Sequence, residues 1–189
     1  ENSLLRATGG SFNVEVTSFG RYVGLRAPAL ATLSKEGAAM AVKKIISAKK
    51  GEMTVFKNPT PALAAELAEL IAQLKSAKIE PETLADAANG RKDNFGAKLH
   101  DVALAFSGYR EFLRENGLAD SNDFLKFMPD LLRSDEKIKN SHVIVAGITS
   151  VTRQTCDIIK TLDEISLDCD FFCVGGKNKD LYAEEFLDF

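Results

Sequence analysis

The stretch His142-Val143-Ile144-Val145-Ala146-Gly147 decides the fold. Val143 to Ala146 is a continuous apolar run rich in β-branched residues, the composition of a strand buried on both faces of a parallel sheet. A helical segment from about Thr152 to Leu162 follows it, and then a second apolar run, Phe171-Phe172-Cys173-Val174, closed by Gly175-Gly176. Strand, helix and strand at this spacing predict a βαβ unit, in which the two strands run parallel and the helix makes the crossover.

Upstream of that unit the period changes. Leu99, Val102, Phe106, Tyr109 and Leu113 recur at steps of three and four before Asn116-Gly117, which predicts an amphipathic helix of about 18 to 20 residues. Thr60-Pro61 pairs a capping hydroxyl with a proline at the first helical position, and Leu63, Leu67, Leu70, Ile71 and Leu74 form the stripe behind it. Ser34 is placed to cap a helix carrying Ala38, Val42, Ile45 and Ile46, with Lys49-Lys50-Gly51 as its stop. Shorter helices are predicted from Pro81 to Asn89-Gly90 and from Asp120 to Leu132, the second interrupted by Pro129. Near the start, Val14-Glu15-Val16-Thr17-Ser18-Phe19 alternates apolar and polar residues and predicts a short strand, with a helix after it that ends before Pro28. The predicted class is therefore α/β. Residues 1–33 and 141–189 supply a partial parallel sheet, residues 34–140 form a large inserted all-helical subdomain, and further strands are expected beyond one or both ends.

Composition bounds the function. A chain of 189 residues with 45% hydrophobic and 27% charged residues is globular in character and has no apolar run near the roughly 20 residues of a membrane span. Neither an initiator Met nor a signal peptide opens it, so it reads as an excised piece. Cys156, Cys169 and Cys173 are an odd set without close pairs, which predicts free thiols in a reducing compartment, the cytoplasm, and makes a zinc site unexpected with His100 and His142 distant in sequence. The net charge of −3 is concentrated at the end, where residues 141–189 carry four basic and nine acidic residues. The basic excess of a stand-alone nucleic-acid binder is absent.

Catalytic signatures are equally sparse. Gly175-Gly176-Lys177-Asn178 follows a strand but lacks the spacing and the hydroxyl of a phosphate-binding loop, and reads as a turn. No nucleophile elbow exists, the two histidines have no patterned partners, and the adjacent pairs Glu184-Glu185 and Asp135-Glu136 read as solvated faces. Lys43, Lys44, Lys49 and Lys50 fit the exposed face and last turn of a helix, where cations complement the dipole. Phe19 and Arg21 lie where open α/β folds bind ligands, at a predicted strand end. An aromatic ring and a guanidinium there suit single-stranded nucleic acid, and a buried Phe beside a surface Arg suits the pattern equally.

The order of these pieces resembles the first motor domain of superfamily 1 helicases, and more closely the N-terminal region of the AddB (RexB) family, a component of ATP-dependent helicase/deoxyribonucleases. The match rests on Val16-Thr17-Ser18-Phe19-Gly20-Arg21, on Leu67 to Ile71, on Lys98-Leu99-His100-Asp101 continuing to Tyr109-Arg110-Glu111-Phe112-Leu113, and on His142 to Gln154. It covers nearly the whole chain. The resemblance implies a RecA-like (P-loop NTPase-like) sheet and a non-catalytic role in recombinational DNA repair, contributing to the single-stranded DNA channel and to scanning of its sequence, with single-stranded DNA and an AddA/RexA-type helicase subunit as partners. It places the DNA path over Phe19 and Arg21 and over the loop residues Thr149, Ser150 and Thr152.

It also implies that the phosphate loop lies upstream, and that the Mg²⁺ and iron–sulfur cluster of the family belong to parts outside this stretch, leaving this piece with no cofactor and no catalytic residue of its own. Ala146-Gly147 stand where an active motor has Asp-Glu to hold Mg²⁺. Family members commonly carry Trp where Gly24 stands and Phe where Val151 stands. Two alternatives remain open at this level: a nucleotide-binding motor fragment, and an interaction module that docks on the partner subunit.

Overall fold

Helix signals translate into helices, several with side-chain caps in place. The computed structural model describes Arg6 and residues 13–26, 31–148 and 151–172. In chain order the elements are α1 (Phe19–Arg26), β1 (Ala31–Thr32), α2 (Lys35–Ala48), α3 (Pro61–Ser76), α4 (Pro81–Asn89), α5 (Asn94–Glu115), β2 (Leu118–Ala119), α6 (Ser121–Ser134), α7 (Glu136–Lys139), β3 (His142–Ala146), α8 (Arg153–Ile165) and β4 (Asp168–Phe172). The side chains of Ser34, Thr60 and Asp93 accept the N–H of Gly37, Leu63 and Gly96, so each helix start has one of its otherwise unpaired donors satisfied. Pro129 does not interrupt α6, which runs through it, and a reciprocal capping box of Asp120 and Asp123 fixes its start.

Helices α2, α3 and α5 enclose one core, built from Val42, Ile45, Ile46, Leu67, Ile71, Val102, Phe106, Tyr109 and Leu113. The crossing of α2 and α5 is close: a Cβ added at Gly108 would sit 2.6 Å from Ile45 Cγ2. The entry and exit of this helical bundle are stitched together by β1 and β2, which pair in parallel as Ala31 with Leu118 and Thr32 with Ala119.

A second core lies under α1, α6 and α8, where Tyr22, Val23, Met128, Leu132, Val145, Ile158 and Leu162 are buried. Here β3 and β4 pair in parallel, His142 with Asp168 through Ala146 with Phe172, and α8 connects them, which is the predicted βαβ unit. The fold is thus mostly helical with two small parallel sheets, compatible with the α/β class. Burial on both faces of the sheet is not seen among the described residues. Exposure alternates along both strands and leaves Ile144 and Phe172 66% and 59% exposed.

The predicted strand over residues 14–19 does not form. Residues 14–18 lie outside any strand, Val14 and Val16 are exposed, and Phe19 opens α1. Ser18 outweighs the alternation: its Oγ accepts the N–H of Arg21 at 3.2 Å and its carbonyl accepts that of Tyr22 at 2.8 Å, making it a helix cap with no strand beside it to pair with. Cys173, Val174 and the Gly175-Gly176-Lys177-Asn178 turn lie outside the described residues.

Candidate nucleic-acid interface

Phe19 and Arg21 share the first turn of α1 and part company in burial. Phe19 packs against the second core, whereas Arg21 is exposed and makes no ion pair among the described residues. This is the arrangement of a packed Phe beside a surface Arg, on the first turn of a helix and not at a strand end: the ring anchors and the guanidinium is exposed.

Their helix is held firmly. The Tyr22 hydroxyl donates to Asp135 Oδ2 at 2.7 Å, Arg26 Nε donates to the same oxygen at 3.1 Å, and the Arg26 guanidinium lies 3.9 Å from the Tyr22 ring centre. Asp135 also accepts the Lys137 N–H at 2.9 Å, so one carboxylate ties α1 to the start of α7. Burial pushes the Asp135 carboxyl up, but the bonds from Tyr22, the Lys137 N–H and Arg26 outweigh it and hold the group below the usual carboxylate range. The Tyr22 phenol is pushed upward, first by burial and then by the carboxylate it donates to. The spacing Tyr22-x-x-x-Arg26 was available as an i, i+4 pair on one helix face, but its partner 109 residues away was not.

In the same part of the molecule β3 ends at Ala146 and the chain turns at Gly147, whose φ of +78° is a conformation that side-chain-bearing residues adopt only with strain. Ile148 packs back onto the second core alongside Phe19. The end of β3 and the start of α1 thus both pack on one apolar cluster. Thr152 caps α8, its Oγ1 accepting the Thr155 N–H at 3.2 Å and lying 3.1 Å from Thr155 Oγ1. Its hydroxyl is already engaged in capping the start of that helix. Thr149 and Ser150 lie outside the described residues.

Gln154 was not singled out by the sequence. It is 4% exposed, its Nε2 donates to the Asn122 carbonyl at 3.1 Å, and its Oε1 has no partner among the described residues. Among the described residues no group of three or more His, Cys, Asp or Glu side chains is arranged to hold a metal ion, and no helix is long and apolar enough to cross a membrane. Cys156 and Cys169 are free thiols, and burial pushes Cys169 up.

The motif residue with the largest structural role is Asp101. It is fully buried, and its carboxylate accepts the backbone N–H groups of Thr54, Val55 and Phe56 at 2.6 to 3.0 Å. Burial pushes this carboxyl up, and the three backbone donors more than offset that, so it stays below the usual range. The Lys98-Leu99-His100-Asp101 block is therefore a clamp on the loop after α2. His100, 48% exposed at its side chain, lies 3.5 Å from Asp101 through Nδ1.

Residues 1–172 match the family described as ADDB, N-terminal. The chain is 26% identical over 132 residues to the B subunit of the ATP-dependent helicase/deoxyribonuclease of Listeria innocua, a match covering 69% of this chain and 11% of that protein. It is 25% identical over 171 residues to the protein of the same name from Bacillus licheniformis, covering 82% and 14%, and 26% identical over 163 residues to that of Symbiobacterium thermophilum, covering 79% and 14%. The chain thus spans only about an eighth of the length of these relatives, between 11% and 14%.

Proposed function

Because the chain belongs to the AddB N-terminal family, we propose that it is a non-catalytic, helicase-like part of a DNA double-strand-break repair helicase/nuclease subunit that lines the path of single-stranded DNA. The observation that carries this reading is the presentation of Arg21, exposed and without an ion-pair partner among the described residues, on a short helix whose other side is bolted down through Tyr22, Arg26 and Asp135. A guanidinium on a rigid support binds a phosphate with little ordering cost. Under this proposal Thr149, Ser150 and Thr152 contact the DNA as well.

The domain takes no part in ATP hydrolysis under this proposal. The end of β3 offers Ala146 and the left-handed Gly147, and a carboxylate introduced at Gly147 would sit on a strained backbone. Translocation then belongs to a partner helicase subunit, and Mg²⁺ and iron–sulfur chemistry to other parts of the assembly. The test is fluorescence anisotropy of a labelled single-stranded oligonucleotide across a salt series. The proposal predicts binding that weakens with salt and falls about tenfold in Phe19→Ala/Arg21→Ala. Equal affinity of wild type and variant at every salt concentration would overturn it.

A further inference from the structure

The apolar stripe of α5 runs through Leu113, Tyr109, Phe106 and Val102, all buried, to the half-buried Leu99. Four residues further toward the N-terminus the stripe has one more member, Phe95, and it is 55% exposed. The helix therefore outruns the bundle that covers it and carries an aromatic ring into solvent on what is otherwise its core face. A large aromatic at such a place is the informative kind of exposure.

Basic groups outnumber acidic ones around Phe95, and Arg91 among them is held in place. The Arg91 guanidinium lies 5.0 Å from the Phe95 ring centre and its Nη2 is 2.9 Å from Asp93 Oδ2. The Arg91 backbone is pressed onto the first turn of α5, where a Cβ at Gly96 would come within 2.7 Å of Arg91 Cβ and 2.8 Å of its carbonyl oxygen. Lys98 is one turn from Phe95, exposed, and Lys92 precedes the helix, also exposed; neither has an ion-pair partner among the described residues. An open surface depression next to this end of the helix is lined by Asn89, Arg91, Lys92, Asp93 and His100 together with small residues. Residues 91–98 carry three basic groups and one acidic group in a chain of net charge −3.

We propose that this end of α5 is a second contact surface for single-stranded nucleic acid, with a base stacking on Phe95 beside Arg91 and the backbone phosphates meeting Lys92 and Lys98. The pairing follows from charge complementarity and from the pre-positioned ring and guanidinium, the combination that binds single strands without sequence preference. It goes beyond the contact assigned to Phe19 and Arg21 and stands on different residues.

The test uses the intact chain with an oligothymidylate carrying 5-iodouracil, read by ultraviolet cross-linking with peptide mapping and by anisotropy. The expected result is a cross-link within residues 91–98, an affinity at least about fivefold weaker in Phe95→Ala, and a salt slope reduced by about one in Lys98→Ala. Both side chains are exposed, so the variants should keep the wild-type melting temperature. Wild-type affinity in Phe95→Ala, absence of a cross-link in residues 91–98, or no binding to the chain at low salt would each overturn the inference. Displacement by polyglutamate as effective as by DNA of matched charge would overturn it in favour of an acidic protein partner. Loss of binding in Phe19→Ala/Arg21→Ala with none in Phe95→Ala would leave the first proposal standing and remove this one, and the converse pattern would do the reverse.

Discussion

The helical bundle of residues 35–119 and the unit formed by α1 with residues 121–172 each rely on one shielded carboxylate, and they use it in opposite ways. In the bundle Asp101 is fully buried and takes backbone donors, so it fixes a loop and presents nothing outward. In the second unit Asp135 takes side-chain donors, Tyr22 and Arg26, and thereby fixes a helix whose opposite edge offers Arg21. The first arrangement completes a core, and the second supports a surface.

The two units meet through polar groups. Lys75 of α3 lies 2.7 Å from Asp120 and 2.7 Å from Asp123 at the start of α6, and Tyr109 donates to Asp120 at 3.3 Å. Lys78 pairs with Asp157 of α8 nearby. The apolar cores on either side are separate clusters. Each unit is therefore expected to hold its own structure, with ionic contacts setting how one sits on the other.

The largest expected effect is from Asp101→Ala, which leaves three backbone donors without their carboxylate and should destabilise the bundle by about 3–5 kcal/mol. Denaturant unfolding checks it, and an unchanged midpoint would break the contrast drawn between the two carboxylates. Since Asp101 is held below its unfolded pKa, its contribution is complete above the ordinary carboxylate range near 4 and is lost as the pH falls through the lower folded value. Acid should therefore loosen the bundle.

Lys75→Met removes the cation from between two carboxylates, at about 1–3 kcal/mol. Calorimetry should then resolve two transitions, one for each core. A single transition at the wild-type temperature would mean that the units are coupled by something other than this joint.

Gly108→Ala should cost about 1–2 kcal/mol, because the added methyl meets β-branched Ile45 across the α2 and α5 crossing, and this exceeds the gain in helix propensity. Tyr22→Phe should cost about 1 kcal/mol, confined to the second unit. The Tyr22 phenol is raised on folding, so its contribution is present below the unfolded value near 10 and disappears as the pH rises beyond it; Tyr22→Phe should flatten that alkaline loss in a thermal melt series.

Local signals were legible in the sequence and long-range ones were not. The Thr60-Pro61 start, the α5 stripe and the parallel pairing of β3 with β4 follow from neighbours within a few residues or from the strand–helix–strand order. The Val14 to Phe19 alternation misled because a strand needs a partner and a cap does not, and Ser18 supplied the cap. Asp101 sat within a recognised block, yet nothing in Lys98-Leu99-His100-Asp101 says that the carboxylate reaches back to residues 54–56. Of the candidate contacts, the residue types at Phe19 and Arg21 were readable, but which of them faces solvent depends on α6 and α8 packing beneath α1.

The most direct measurement of the central claim is hydrogen–deuterium exchange of the chain with and without a saturating single-stranded oligonucleotide. The account predicts slower exchange in the first turn of α1 around Phe19 to Tyr22 and at the start of α8 after Thr152. Exchange at both places unchanged by DNA, in a sample shown by anisotropy to be bound, would contradict it.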